Sequence, residues 1–236
     1  MAARSPHPGN AEQRRHYPEN MTQTFHARAA LLDMDGTLVD STAVVERLWL
    51  AWAEPHGLDP EFVLSVVHGR QGHQSMAIML PDRPHEENLA ENRVMLERES
   101  GDVDGVVEVP GAAAFLQALA PFPHAIVTSA DDRLMRVRMG AAELGVPTGP
   151  VTAEHVSASK PDPEGFLLGA SRLGADPADC IVFEDSGAGI QAARAAGMRV
   201  VGVGTGSAAY SPDAVVSDLT HVTITPAPEG FVLTID

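Results

Sequence analysis

Apolar residues along the chain fall into short runs that stop abruptly at acids, hydroxyls or glycines. Residues 29–34 are mostly apolar and meet Asp33, Asp35, Gly36 and Thr37, which predicts a buried strand entering a tight loop. From 42 to about 56 the period changes, with Val45, Leu48, Trp49 and Trp52 at helical spacing and Asp40 or Ser41 as candidate N-cap. Helix-prone polar sequence with Gly and Pro breaks continues to about Glu99, and Glu86, Glu87, Glu91, Arg93, Glu97 and Arg98 are expected on a solvated face. After Val109-Pro110-Gly111 strand and helix alternate. Helices are predicted over 112–120, 131–145, 164–173 and 189–196, and strands over 124–128, 150–152, 180–184 and 198–203. Residues 222–224 and 231–235, either side of Pro228-Glu229-Gly230, predict a small hairpin.

Alternating strands and helices make parallel βαβ units, so the fold class is α/β with a parallel sheet, and ligands belong at the carboxyl ends of its strands. The polar residues ending those strands are Asp33, Thr128 and Glu184-Asp185, and they are expected to converge. The helical stretch 43–108 interrupts the alternation and reads as an inserted cap on a core made of 28–42 and 109–236. Residues 1–27 read as a disordered extension, with Met21 as a candidate native start.

Composition narrows the function classes. With 44% hydrophobic residues among 236, a sizeable core is available. The formal charge of −16 and the lack of any Lys/Arg-rich run argue against a nucleic-acid or anionic-membrane partner. The one cysteine, Cys180, excludes an internal disulfide and a cysteine-based zinc site. No apolar run nears the roughly 20 residues that span a bilayer, and no signal-like segment opens the chain; a cytoplasmic monomer is the expectation.

Two carboxylates two residues apart at a buried strand end, Asp33 and Asp35, are costly unless a cation compensates. A hard divalent ion, magnesium first, suits them, with Asp185 as a further carboxylate from a neighbouring strand. Gly36 lets the backbone turn so that amides face an anion. Thr128-Ser129 offers a hydroxyl and N–H groups at another strand end. Lys160, followed by Pro161 and Pro163 in the run SKPDP, is the chain's only lysine, which suggests a compact point charge that an Arg fork cannot replace.

With these residues in view, the sequence resembles the haloacid dehalogenase superfamily phosphatases. Four motifs stand in that family's order: Asp33 to Thr37 (DMDGT), Thr128-Ser129, Lys160-Pro161, and Glu184-Asp185 within FEDSGAG. The likeness runs from about Ala29 to Val203. The runs HGRQ from His68, VPGA from Val109 and VTS from Val127 resemble the branch of hexitol, 2-deoxyglucose-6-phosphate and glycerol-phosphate phosphatases.

The resemblance implies a Rossmannoid core with an inserted helical cap, and hydrolysis of small sugar or polyol phosphates with Mg²⁺. It implies Asp33 as nucleophile forming an aspartyl phosphate and Asp35 as general acid and base. Asp33, the Asp35 carbonyl and Asp185 would hold Mg²⁺, while Thr128, Lys160 and amides near Ser129 would hold the phosphoryl oxygens. Glu184 is either a water-mediated metal contact or a partner for Lys160. In the cap, Arg70 and Gln71 are substrate-binding candidates, His68 and His73 are further candidates, and Trp49 and Trp52 are expected to pack the cap, with contact between Trp49 and substrate as the lesser alternative. A β-phosphoglucomutase-like phosphotransferase and a non-catalytic sugar-phosphate sensor are the alternatives. The mutase resemblance implies a cap histidine and arginine where this chain has Val45 and Gly72. Hinges are expected near 39–42 and 108–111.

Overall fold

The computed structural model describes residues 22–236. Its centre is a five-stranded, wholly parallel sheet built from β2 (Ala29–Leu32), β5 (His124–Ile126), β6 (Cys180–Glu184), β7 (Arg199–Val203) and β8 (Ala214–Val216), in the order β5-β2-β6-β7-β8. Strand β2 is apolar throughout because both of its faces are covered. Ala29 and Leu31 pack with Phe166 and Ala170 of α7 (Glu164–Leu173) and Ile190 of α8 (Gly187–Ala195). Ala30 and Leu32 face the other way, towards Phe115 of α5 (Ala112–Leu119) and Leu134 and Met135 of α6 (Asp132–Ala141). Strand β6 repeats the alternation, with Cys180 and Val182 on one side and Ile181 and Phe183 on the other.

Burial gives Cys180 a testable chemistry. Its side chain is inaccessible, and burial, then Asp179 and Asp176, push the thiol up to about 11. A thiol reagent is therefore expected to label the native protein far more slowly than the urea-unfolded chain. Equal labelling rates in the two states would show that β6 opens locally without global unfolding.

Between β3 (Val39–Asp40) and β4 (Val107–Glu108) lie four helices: α1 (Thr42–Ala53), α2 (Pro60–Val66), α3 (Gly72–Met79) and α4 (His85–Gly101). Local sequence explains their starts in part: Asp59 caps α2, accepting from Phe62 N–H at 3.0 Å, with Pro60 in the first turn. The two chain crossings pair as an antiparallel ribbon, Val39 opposite Glu108 and Asp40 opposite Val107. Trp49, Met76 and Met95 join the apolar cluster on the α5–α6 side, so the inserted helices share packing with the sheet layer.

The sequence reading of residues 1–27 as an extension needs correction at its end. Gln23–Ala27 is β1, the third strand of an antiparallel sheet ordered β1-β10-β9, with β9 spanning Val222–Pro226 and β10 Phe231–Ile235. Phe25 pairs with Leu233 and Ala27 with Phe231. Within this strand only Ala27 is fully buried, which left too little apolar alternation to read, whereas the β9–β10 hairpin forms as expected. The candidate start at Met21 lies outside the described residues. Helix α6 ends at Ala141, short of the expected 145, and residues 150–152 contribute a single bridge, Val151 to Val127. Among the described residues no helix is long and apolar enough to cross a membrane.

Candidate active site

Register brings the strand ends together. Leu32 pairs with Ile126 on one side and Phe183 on the other, so the residues that follow them emerge at one edge of the sheet. Asp33 N–H donates to the Phe183 carbonyl at 3.0 Å, and Val127 N–H to that of Leu32 at 2.8 Å. The chain then turns tightly: Leu38 and Val39 N–H donate to the Met34 carbonyl at 2.8 and 2.9 Å. Gly36 sits in this turn at φ +80°, and a Cβ there would lie 2.0 Å from Asp185 Oδ2. Glycine is required on both counts.

Asp33 is buried and accepts a hydrogen bond from Lys160 Nζ. Burial, then the Glu184 carboxylate, push Asp33 up to about 8, against the pull of Lys160. Burial likewise raises Asp185 well above the ordinary carboxylate range, helped by Glu184 and Asp33. For Lys160, burial works against the charge, but the Asp33 and Glu184 carboxylates outweigh it and hold the ammonium protonated. Lys160 Nζ is 2.8 Å from Glu184 Oε2 and 5.1 Å from the centre of the Phe166 ring. Glu184 is wholly buried; its Oε1 accepts from Asp185 N–H (3.1 Å), Ser186 N–H (3.0 Å) and Ser186 Oγ (2.9 Å). Of the two roles left open for Glu184, the partnership with Lys160 is formed.

Asp33, Glu184 and Asp185 each offer a carboxylate oxygen within 4.8 Å of the others. Three carboxylates against one ammonium leave uncompensated negative charge in a buried place, and an all-oxygen set of this kind suits a hard divalent cation. The Asp35 side chain turns elsewhere: Oδ1 accepts from Ser41 Oγ at 2.7 Å, and Oδ2 lies 2.9 Å from Arg138 Nη1. Thr128 follows β5, with its N–H on the Val151 carbonyl at 2.9 Å and its Oγ1 accepting from Ala130 N–H at 3.1 Å.

A cavity of about 90 Å³ opens from Asp33, Asp35 and Thr128 towards the inserted helices, where Trp49, His68 and Arg70 line it. Ser129 lines it too, but its hydroxyl is engaged, donating to the Gly69 carbonyl at 3.1 Å. Gln71 lies apart, in a small cleft beside Thr128 and Lys160, and His73 packs against the His85 ring at 5.8 Å between centres. Sequence reasoning missed Arg138. It is nearly inaccessible in α6, on the buried stripe with Leu134, Met135 and Met139, and a cation on an otherwise apolar stripe was the signal available. Glu99, 3.4 Å from Arg138 Nη2, was hidden among the many charges of α4.

Residues 27–197 match the model of the haloacid dehalogenase-like hydrolases. The chain belongs to that family. It is 40% identical over 216 residues to hexitol phosphatase A of Escherichia coli, covering 89% of this chain and 99% of the relative. Glycerol-1-phosphate phosphohydrolase 1 of Saccharomyces cerevisiae is 32% identical over 189 residues, covering 75% of this chain and 74% of that one. The crystal structure of a β-phosphoglucomutase from Clostridium difficile superposes with a TM-score of 0.70 at 22% identity, covering 81% of this chain and 91% of that one, which shows a shared fold. As a haloacid dehalogenase-like hydrolase with phosphatase relatives, the protein is an enzyme of the phosphoric monoester hydrolase class.

Proposed function

We propose that the enzyme hydrolyses small sugar or polyol phosphate monoesters with Mg²⁺, through an aspartyl phosphate on Asp33. The observation that carries this is the Asp33 carboxylate held beside Lys160 and Asp185 at the floor of a cavity that Asp35 also lines. An Asp33 oxygen attacks phosphorus as the bond to the leaving alkoxide breaks, and Asp35 gives that alkoxide a proton. Asp35 then takes a proton from a water that attacks the acyl phosphate, which frees phosphate and restores Asp33. Ser41 and Arg138 fix the Asp35 carboxylate for both transfers. Thr128, Lys160 and the Ser129 N–H hold the phosphoryl oxygens. Asp33, Asp185 and the Asp35 carbonyl would hold Mg²⁺, with Glu184 behind them on Lys160. When bound, the ion supplies the positive charge that lets an anionic ester approach three carboxylates.

The proposed core is 28–42 with 109–236, joined by β1, and the proposed cap is 43–108, moving about the β3–β4 ribbon. Two polar links hold the cap onto the catalytic loops: Ser129 Oγ to Gly69, and Ser159 Oγ to the Gln74 side chain. Closure of this kind excludes water while the ester is cleaved. A mutase is less well supported, because the cavity carries Val45 and Gly72 at the positions where that resemblance implies histidine and arginine.

The test is phosphate release with Mg²⁺ from hexitol, hexose and glycerol phosphates, nucleotides and phosphoglycolate, with EDTA as control. Turnover of the hexitol, hexose or glycerol esters, lost in EDTA and restored by Mg²⁺, is the expected result. Absence of release from every ester would overturn the proposal. Glucose 1-phosphate isomerisation under the same conditions would point to the mutase.

A further inference from the structure

Helix α4 is turned with a largely polar stripe inwards. Asn88, Asn92, Met95 and Glu99 recur every three or four residues on one face, and Asn88, Met95 and Glu99 are buried, while Val94 is 47% exposed on the outside. A helix that only packed against a core would reverse this, because buried polar groups are costly unless bonded. Several of these groups are not bonded within the protein. Asn92 Oδ1 is inaccessible to solvent and has no hydrogen-bond partner; the same holds for Nε and Nη2 of Arg138, although Nη2 forms its ion pair with Glu99. Arg138 is 4% exposed. Asn92, Glu99 and Arg138 all line the cavity that opens from Asp33, and Trp49 closes its side.

Given the phosphatase reading, on which this rests, we infer that Asn92, Glu99 and Arg138 form the subsite for the leaving group, and that it takes a neutral, polyhydroxylated alcohol. Asn92 Oδ1 and Glu99 accept hydrogen bonds, and Arg138 Nε, which has no partner within the fold, donates one. A hydroxyl does both, so adjacent hydroxyls match this mixed wall, whereas an alkyl chain leaves it unpaired. Charge narrows the class further. At this end of the cavity one guanidinium stands between two carboxylates, Asp35 and Glu99, so it has no surplus positive charge for a carboxylate or a second phosphate. Arg70, which lines the same cavity, also lines the neighbouring groove beside Asp185.

Gly72 belongs to the same device. A Cβ at that position would stand 2.2 Å from Asn92 Oδ1 and 3.2 Å from Trp49 Cζ2, so only glycine lets the amide and the indole approach as they do.

The experiment measures kcat/KM for sorbitol 6-phosphate and for n-hexyl phosphate, a probe of equal chain length without hydroxyls, in the parent enzyme and in Asn92→Leu and Gly72→Ala. The readout is the ratio of the two values, which a general loss of folding or of phosphoryl chemistry lowers in neither direction. The parent is expected to prefer the hexitol ester, and each variant to reduce the ratio about tenfold or more. A ratio that stays at the parent value in both variants, whether or not absolute rates fall, would overturn the subsite. Failure of the phosphatase reading looks different: the parent would release phosphate from neither ester, and the subsite would fall with it.

Discussion

Asp33→Asn is expected to abolish phosphate release while leaving the metal-free protein at least as stable as the parent. The two effects share one cause. In the absence of a cation, three carboxylates of the buried cluster share the single ammonium of Lys160. Burial and Glu184 already push Asp33 up to about 8, so its ionised form is the costly one and a neutral amide of the same shape relieves repulsion. Lys160 keeps its 2.8 Å contact with Glu184. The amide, however, is no nucleophile at phosphorus, and the loss of turnover should be on the order of 10⁴-fold or more. Metal binding supplies a second contrast. Mg²⁺ at a hundred times its Kd should stabilise the parent by about 2.7 kcal/mol, and it should stabilise the variant much less. Melting curves in EDTA and in excess Mg²⁺, beside a phosphate-release assay, check both signs. A variant that melts well below the parent in EDTA would show that the Asp33 carboxylate is required to hold Lys160, and retained turnover would remove Asp33 as nucleophile.

This contrast marks where sequence reading sufficed and where it ran out. The strand over residues 29–32 was legible because both of its faces are buried, and the acids that stop such a strand were legible because a buried strand has no other reason to end in two carboxylates. Convergence of Asp33, Thr128 and Glu184 followed from parallel pairing, which places all three strand ends on one edge. The role of Glu184 stayed open because two acceptors side by side look alike in a sequence; it is the fold that gives Oε2 to Lys160 and Oε1 to the amides at the start of α8. Ser129 was readable as a site residue but not as a latch, since its Gly69 partner is 60 residues away. The inward stripe of α4 was invisible for a stronger reason. Its periodicity is polar, and hydrophobic patterning sees only apolar faces, so Asn92 and Glu99 merge with the solvated charges around them. Strand β1 failed in the opposite way, having too few buried positions to show a period before β10 pairs with it.

Lys160→Met should be the most destructive single change, because it removes the only cation from a buried anionic cluster. Lys160 is 6% exposed, bonded to Asp33 and Glu184, and seated against the Phe166 ring. Methionine is one atom shorter and nearly fills its volume, so the packing loss is small, but Glu184 and Asp33 are left without the partner that made their burial tolerable. Breaking a buried pair from one side costs about 3–5 kcal/mol. Urea denaturation in EDTA should show a loss of that size, in contrast with the unchanged or increased stability of Asp33→Asn. Mg²⁺ should recover part of it by supplying charge to the same carboxylates. Turnover should not recover with it, since in the proposed mechanism the ammonium also neutralises oxygens of the transferring phosphoryl group, a contribution worth roughly 10²–10³ in kcat. Lys160→Arg is expected to restore neither property fully. The guanidinium fork needs width, and the free space beside Lys160 is a cleft of about 10 Å³, too small for a planar group in place of a point charge. If Lys160→Met kept the parent's stability in EDTA, the Lys160 ion pairs with Asp33 and Glu184 would not be what makes the burial of these carboxylates tolerable. If Lys160→Arg matched the parent in both stability and kcat, this position would not require a compact point charge.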